Sequence, residues 1–221
     1  MDRTEKALEV DRRLDAALGS RLTRDRRDLT HELIHAVLSQ NTSRMNYDLA
    51  YQHLTDRFPT AAEIGRAPLP ELEEAIRPGG LSRQKSRAIK EILLAIHGRR
   101  GDYSLEFLRS MRVSEARQYL ISLPGVGPKT ASVVLMFGMG RKVLPVDTHV
   151  LRISKRIGLV DAKCTAEKAE SELESIVPPG KRPRMHLNMV TLGREICRAR
   201  APIHEICPVN MLCDHYTGAG S

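Results

Sequence analysis

Apolar residues recur along this chain at three- and four-residue steps. Leu33, Ile34, Val37 and Leu38 form one stripe, and Ile89, Ile92, Leu93 and Ile96 form another. Ala116, Tyr119, Leu120 and Leu123 make a third, Val150, Ile153 and Ile157 a fourth, and Ala166, Ala169, Leu173 and Ile176 a fifth. That spacing places the apolar positions on one face of a 3.6-residue helix. No convincing period-2 run bounded by turns accompanies it, so the pattern predicts an all-α chain. Breakers at Phe58-Pro59, Arg77 to Gly80, Gly98 to Gly101, Leu123 to Pro128 and Pro178 to Gly180 divide the helices. The segment from Thr130 to Gly140 is apolar around most of its circumference and predicts a buried central helix. Thr217 to Ser221 reads as a frayed tail.

Composition narrows the class. The 221 residues can bury a substantial core and suit one or two domains. A content of 41% hydrophobic and 28% charged residues is that of a globular protein rather than a disordered one. No run approaches the roughly 18 apolar residues of a membrane span, and the charged start lacks the apolar run of a secretory signal. The chain is therefore expected to stay in the compartment where it is made, the cytoplasm. A net charge of +8 predicts attraction to polyanions, with nucleic acid the commonest. Basic residues crowd the last third, Arg152, Lys155, Arg156, Arg194, Arg198 and Arg200 among them. Aromatic residues at 4% argue against a stacking platform for single strands.

The most informative stretch is LPGVGPKTA, from Leu123 to Ala131. Glycines two residues apart, Gly125 and Gly127, permit a tight turn and bring backbone N–H groups close to a ligand. The buried helix begins straight afterwards, so its unpaired N–H groups and positive end face the same point, a ready anion site. In a basic protein the expected anion is a DNA phosphate. A plain tight turn between two helices is the alternative.

This stretch resembles the helix-hairpin-helix of the endonuclease III superfamily of DNA glycosylases. Val146-Asp147-Thr148-His149-Val150 is similar to that superfamily's second signature, with Asp147 at its acidic position, and Lys129 falls where lyase-competent members carry their nucleophile. The resemblance runs from about Leu33 to Cys213. Gln40 and Leu81 match positions that fill the gap left by a flipped nucleotide. The resemblance implies two α domains: a six-helix barrel with the helix-hairpin-helix over 30–142, and a cluster domain formed by 1–29 with 143–221. It also implies a monomeric glycosylase and abasic-site lyase of base excision repair acting on duplex DNA with a flipped base. Gln40, Leu81, Gly125, Val126, Gly127, Thr130 and Arg194 are its implied DNA contacts.

The residue types suit that chemistry. The sugar becomes oxocarbenium-like as the base departs, and a carboxylate at Asp147 can stabilise the developing charge. An amine at Lys129 can attack C1′ and become a Schiff base that permits β-elimination. Lys129 could instead only touch a phosphate, and Asp147 could merely cap the helix that begins at Thr148. His149 reads as a packed helix residue, and Arg152, Lys155 and Arg156 as a solvated polar face. Oxidised pyrimidines are the family's default substrate. Mismatch or uracil excision, a lyase with weak base selectivity, and a non-catalytic DNA-binding module are the alternatives. A segment around Asp102 to Arg117, longer than in bacterial endonuclease III, resembles deep-branching members.

Three of the four cysteines fall in the last 25 residues, which without a signal peptide suggests a metal site rather than disulfides. Members of this family commonly hold a [4Fe-4S] cluster at a spacing of C-x6-C-x2-C-x5-C. Here Cys197, His204, Cys207 and Cys213 give C-x6-H-x2-C-x5-C, with histidine at the second ligand position. A [4Fe-4S] cluster on three cysteines and His204, a zinc ion on the same four groups, and an empty site with His204 on the surface are the competing outcomes. Cys164 stands apart, as a small side chain on a charged helix.

Overall fold

A computed structural model describes residues 1–19 and 27–218. Among them the chain is helical, with no strand, as the apolar periodicity predicts. None of the described helices is long and apolar enough to cross a membrane. The chain folds as two compact units, Met1–Arg24 with Lys142–Ser221, and Asp25–Arg141.

The central unit contains helices α2 (Leu29–Leu38), α3 (Arg44–Arg57), α4 (Ala61–Arg66), α5 (Leu69–Ala75), α6 (Ser82–Arg100), α7 (Val113–Ile121) and α8 (Pro128–Val133). Asp28 starts α2 by accepting the N–H groups of Thr30 and His31, and Thr60 starts α4 in a capping box with Glu63. The core gathers the predicted stripes: Leu33, Ile34, Val37 and Leu38 of α2 and Ile89, Ile92, Leu93 and Ile96 of α6 are all buried. The segment after α6 packs back onto α2. Thr30 Oγ1 donates to the Tyr103 carbonyl, and the Glu106 carboxylate accepts the Leu29 N–H.

The breaker expected at Gly98 to Gly101 ends a helix: α6 runs through Gly98 to Arg100 and stops at Gly101, whose φ is 78°. Burial of the Ile89–Ile96 face outweighs the roughly 1 kcal/mol that an interior glycine costs. One expectation needs correction in this unit: the apolar stretch after Lys129 is not one regular helix. α8 is followed by a π-helical turn, Val134–Gly138, in which the Met139 N–H reaches the Val134 carbonyl. The wide turn brings Gly138 against α2, where a Cβ would stand 2.8 Å from Leu29 Cδ2.

The terminal unit contains α1 (Arg3–Leu18), α9 (Thr148–Ile157), α10 (Ala166–Ile176), α11 (Arg182–Glu195) and α12 (Asp214–Thr217). Ala7, Val10 and Leu14 of α1 join Val150, Ile153, Leu173, Met185 and Met189 in one core. A buried ion network ties α1 to α11: Asp11, fully buried, accepts from Lys181 at 2.9 Å and from Arg184, which also reaches Asp15 at 2.7 Å. Cys164 lies buried in the turn before α10 rather than on a helix. Thr217 closes α12, and the rest of the expected tail beyond Gly218 lies outside the described residues.

Candidate functional site

Leu123 to Gly127 forms the hairpin between α7 and α8. Leu123 and Val126 are buried and pin it to the core, and the Val126 N–H donates to the Leu123 carbonyl. Gly125 has φ 70°, a conformation that glycine adopts without strain. Gly127 is extended, with φ −88°, and a Cβ there would meet nothing within 4 Å. Neither a positive φ nor internal packing therefore calls for glycine at 127. Lys129, half-buried, is the second residue of α8, and Thr130 behind it is buried.

Gln40 and Leu81 sit on two other segments of the same unit. The Gln40 side chain donates from Nε2 to Thr130 Oγ1 at 3.3 Å, which links its segment to the start of α8. Leu81 precedes α6 with φ 50°, and the residue is 54% exposed. An open cavity of about 640 Å³ lies beside it, lined by Leu81, Ser82, Arg83, Gln84, Arg87 and Glu91.

Asp147 caps α9 in the terminal unit. Its Oδ1 accepts the N–H groups of His149 at 2.9 Å and Val150 at 2.8 Å, which fixes the plane of the carboxylate and leaves Oδ2 outside the capping bonds. His149 packs against α11 so closely that a Cβ on Gly193 would stand 2.7 Å from it. The polar side of α9 is not simply solvated, contrary to the expectation. Arg152 donates to the carbonyls of Gly193 and Cys197 at 2.9 and 2.8 Å. Arg156 donates to the carbonyls of Arg198 and Ala199 and, at 3.3 Å, to Cys197 Sγ. Carbonyls of the irregular 196–201 loop that lack helical partners attract these guanidinium groups, which reading α9 alone could not reveal.

That loop leads into the cysteine-rich segment. Cys207 lies within electrostatic reach of Cys197 and Cys213, and Cys213 of Cys197. Burial is the main cause that pushes the thiols of Cys207 and Cys213 above their ordinary range; neighbouring cysteines push the same way, and backbone N–H groups oppose it. Cys213 Sγ donates to the Arg156 carbonyl at 3.2 Å. His204 opens the turn that ends at Cys207, whose N–H donates to the His204 carbonyl. Its ring stacks on Tyr216 at 4.9 Å between centroids and lies 6.0 Å from His215. Among the described residues no three of the His, Cys, Asp and Glu side chains converge closely enough to grip a single metal ion. Cys197, Cys207 and Cys213 are free thiols, and Arg156 donates to Cys197 Sγ, a donor chemistry that an iron–sulfur cluster takes. Arg194 is exposed at the end of α11.

Residues 34–179 match the family described as HhH-GPD superfamily base excision DNA repair protein. Endonuclease III of Thermotoga maritima is 35% identical over 188 residues, covering 85% of this chain and 84% of that protein. Endonuclease III of Bacillus subtilis is 36% identical over 183 residues, covering 82% and 80% respectively. Among solved structures, that of a trapped endonuclease III–DNA covalent intermediate superposes with a TM-score of 0.82 at 29% identity, over 99% of both chains.

Proposed function

We propose that this chain, which belongs to the HhH-GPD superfamily of base excision DNA repair proteins, is a monomeric DNA glycosylase and abasic-site lyase that removes oxidised pyrimidines from duplex DNA. The observation that carries this reading is the hairpin: Gly127 is open to an approaching group, and the helix that starts there carries Lys129 at its second position. A phosphate at the hairpin would accept backbone N–H groups, with the net charge of +8 adding attraction. Gln40 and Leu81 fill the space vacated when the damaged nucleotide turns out of the stack. Arg194 adds a phosphate contact from the terminal unit.

The Lys129 amine, in its neutral form, attacks C1′ as the bond to the base breaks. The bonding pair leaves with the base, which takes up a proton. Asp147 stabilises the positive charge that develops on the sugar, and its cap fixes the carboxylate for that task. The C1′–O4′ bond then breaks, its electron pair and a proton going to O4′, which opens the sugar ring and leaves Lys129 joined to C1′ as a Schiff base. Loss of a proton from C2′ expels the 3′ phosphate by β-elimination, and water releases the lysine.

Cys197, His204, Cys207 and Cys213 would hold a [4Fe-4S] cluster, which supplies a structural staple for the end of the chain. Arg152 and Arg156 of α9 brace the same loop from the protein side.

The test is borohydride trapping on duplexes carrying one abasic site or one thymine glycol. The expected result is a covalent adduct with both, lost in Lys129→Ala while duplex binding survives. Trapping at the abasic site alone would keep the lyase and transfer the substrate to uracil or mismatched bases. No adduct with either would reduce Lys129 to a phosphate contact and the protein to a DNA-binding module.

A further inference from the structure

Lys85 is a buried amine that this reaction does not use. The residue is only 4% exposed, on the first turn of α6. Its Nζ donates to the carbonyl of Leu38 at 2.7 Å and to that of Gly79 at 2.9 Å. Removal from water lowers the proton affinity of this amine, so the position carries a cost. Leu38 ends α2 two residues before Gln40, and Gly79 lies two residues before Leu81. One side chain thus joins the bases of the two segments that carry Gln40 and Leu81.

Both segments turn through a left-handed residue just beyond the tie. Asn41 has φ 53° and Leu81 has φ 50°. A left-handed leucine is strained and persists only where its surroundings over-determine it. Lys85 constrains that conformation twice, through its amine on the Gly79 carbonyl and through its own N–H, which donates to the Leu81 carbonyl at 2.9 Å. The Gln40 segment is held by Lys85 at Leu38 and by the Gln40–Thr130 bond. Rigidity here has a use, because two side chains can occupy one vacated base-stack position only at a fixed separation.

We propose that Lys85 is a positioning residue for base extrusion, holding the Gln40 and Leu81 segments at one separation so that both side chains enter the duplex together. This rests on the gap-filling reading above. The experiment is a double-mutant cycle with Lys85→Met, nearly the same shape but without donors, and Leu81→Ala. Single-turnover excision of thymine glycol is read alongside the fluorescence of 2-aminopurine placed next to the lesion. All variants are assayed well below their melting temperatures, with folding checked by circular dichroism. Lys85→Met is expected to lower the excision rate and the unstacking signal at least about tenfold in the wild-type background, and less than about threefold in the Leu81→Ala background. Equal losses in both backgrounds would mean that Lys85 supports the fold generally and would overturn the proposal, as would a wild-type rate for Lys85→Met. Leu81→Ala and Gln40→Ala each keep Lys85 intact. If neither changes excision or unstacking, the gap-filling reading itself fails and takes this proposal with it. Should the methionine variant not fold, Lys85→Arg, with its donors displaced on a longer stem, goes through the same cycle. A loss that shrinks in the Leu81→Ala background supports the proposal, and one that persists overturns it.

Discussion

Asp147 carries two tasks that a pair of substitutions can separate. Its Oδ1 accepts two N–H groups at the start of α9, so the side chain is a helix cap whatever else it does. Replacement by asparagine would keep an accepting oxygen in the same place, and asparagine caps as well as aspartate. Asp147→Asn should therefore change stability by less than about 0.5 kcal/mol, whereas Asp147→Ala should cost about 1 kcal/mol. In a chain of this size that cost lowers the melting temperature by roughly 2–4 °C. The chemistry responds differently, because only the carboxylate opposes positive charge on the sugar. Losing one preorganised electrostatic contact typically slows a reaction by about 10²–10³-fold, and both variants should lose that much in single-turnover base excision. Calorimetry and quenched excision assays on the same preparations read the two effects. An Asp147→Asn protein that excised at more than about a tenth of the wild-type rate would refute the electrostatic role. One that melted as low as Asp147→Ala would refute the account of the cap.

Charge and burial elsewhere in the two units give further tests. Asp11→Ala removes the fully buried centre of an ion network and should destabilise the terminal unit by about 2 kcal/mol, below the roughly 3–5 of a wholly buried pair because Lys181 and Arg184 are about a third exposed and can rehydrate; urea unfolding measures it. His35 is held below the ordinary histidine value of 6.5, chiefly by burial and against its bond to Asp48. Its neutral form is thus favoured in the fold, and its contribution to stability is complete above pH 6.5 and is lost as pH falls below that value toward the folded pKa. Melting temperature should drop over that window, with a shallower slope in His35→Gln. Cys207→Ser should lose iron and acid-labile sulfide, while His204→Cys should keep them. In the latter a thiolate replaces a neutral imidazole and adds negative charge, so the reduction potential should fall, as protein-film voltammetry would record.

Helices whose apolar positions fall on one face were legible from spacing. The stripes at Leu33–Leu38, Ile89–Ile96 and Val150–Ile157 all lie in helices with those residues buried. The α3 and α11 helices gave no such signal, because polar letters interrupt their stripes. α3 buries only Ala50 and Leu54, and α11 buries His186 and Asn188 beside its methionines. The candidate chemistry was legible because hairpin, Lys129, Asp147 and the cysteine segment are each local in sequence. Their supports were not. Lys85 looks like one more helix-surface lysine until Leu38 and Gly79 arrive beside it from 47 and 6 residues away.

Local physics thus resides in the sequence: glycine and proline set the turns, apolar spacing sets the helix faces, and Asp147 stands where an N-cap belongs. Tertiary structure decided what desolvation and long-range contact control. It turned Arg152 and Arg156 from a solvated face into braces for the 196–201 loop, and it opened a π turn where Gly138 meets α2. It also buried Lys85 between two backbone carbonyls. Each of these depends on which groups lose water together, and that is settled only when segments distant in the chain come into contact.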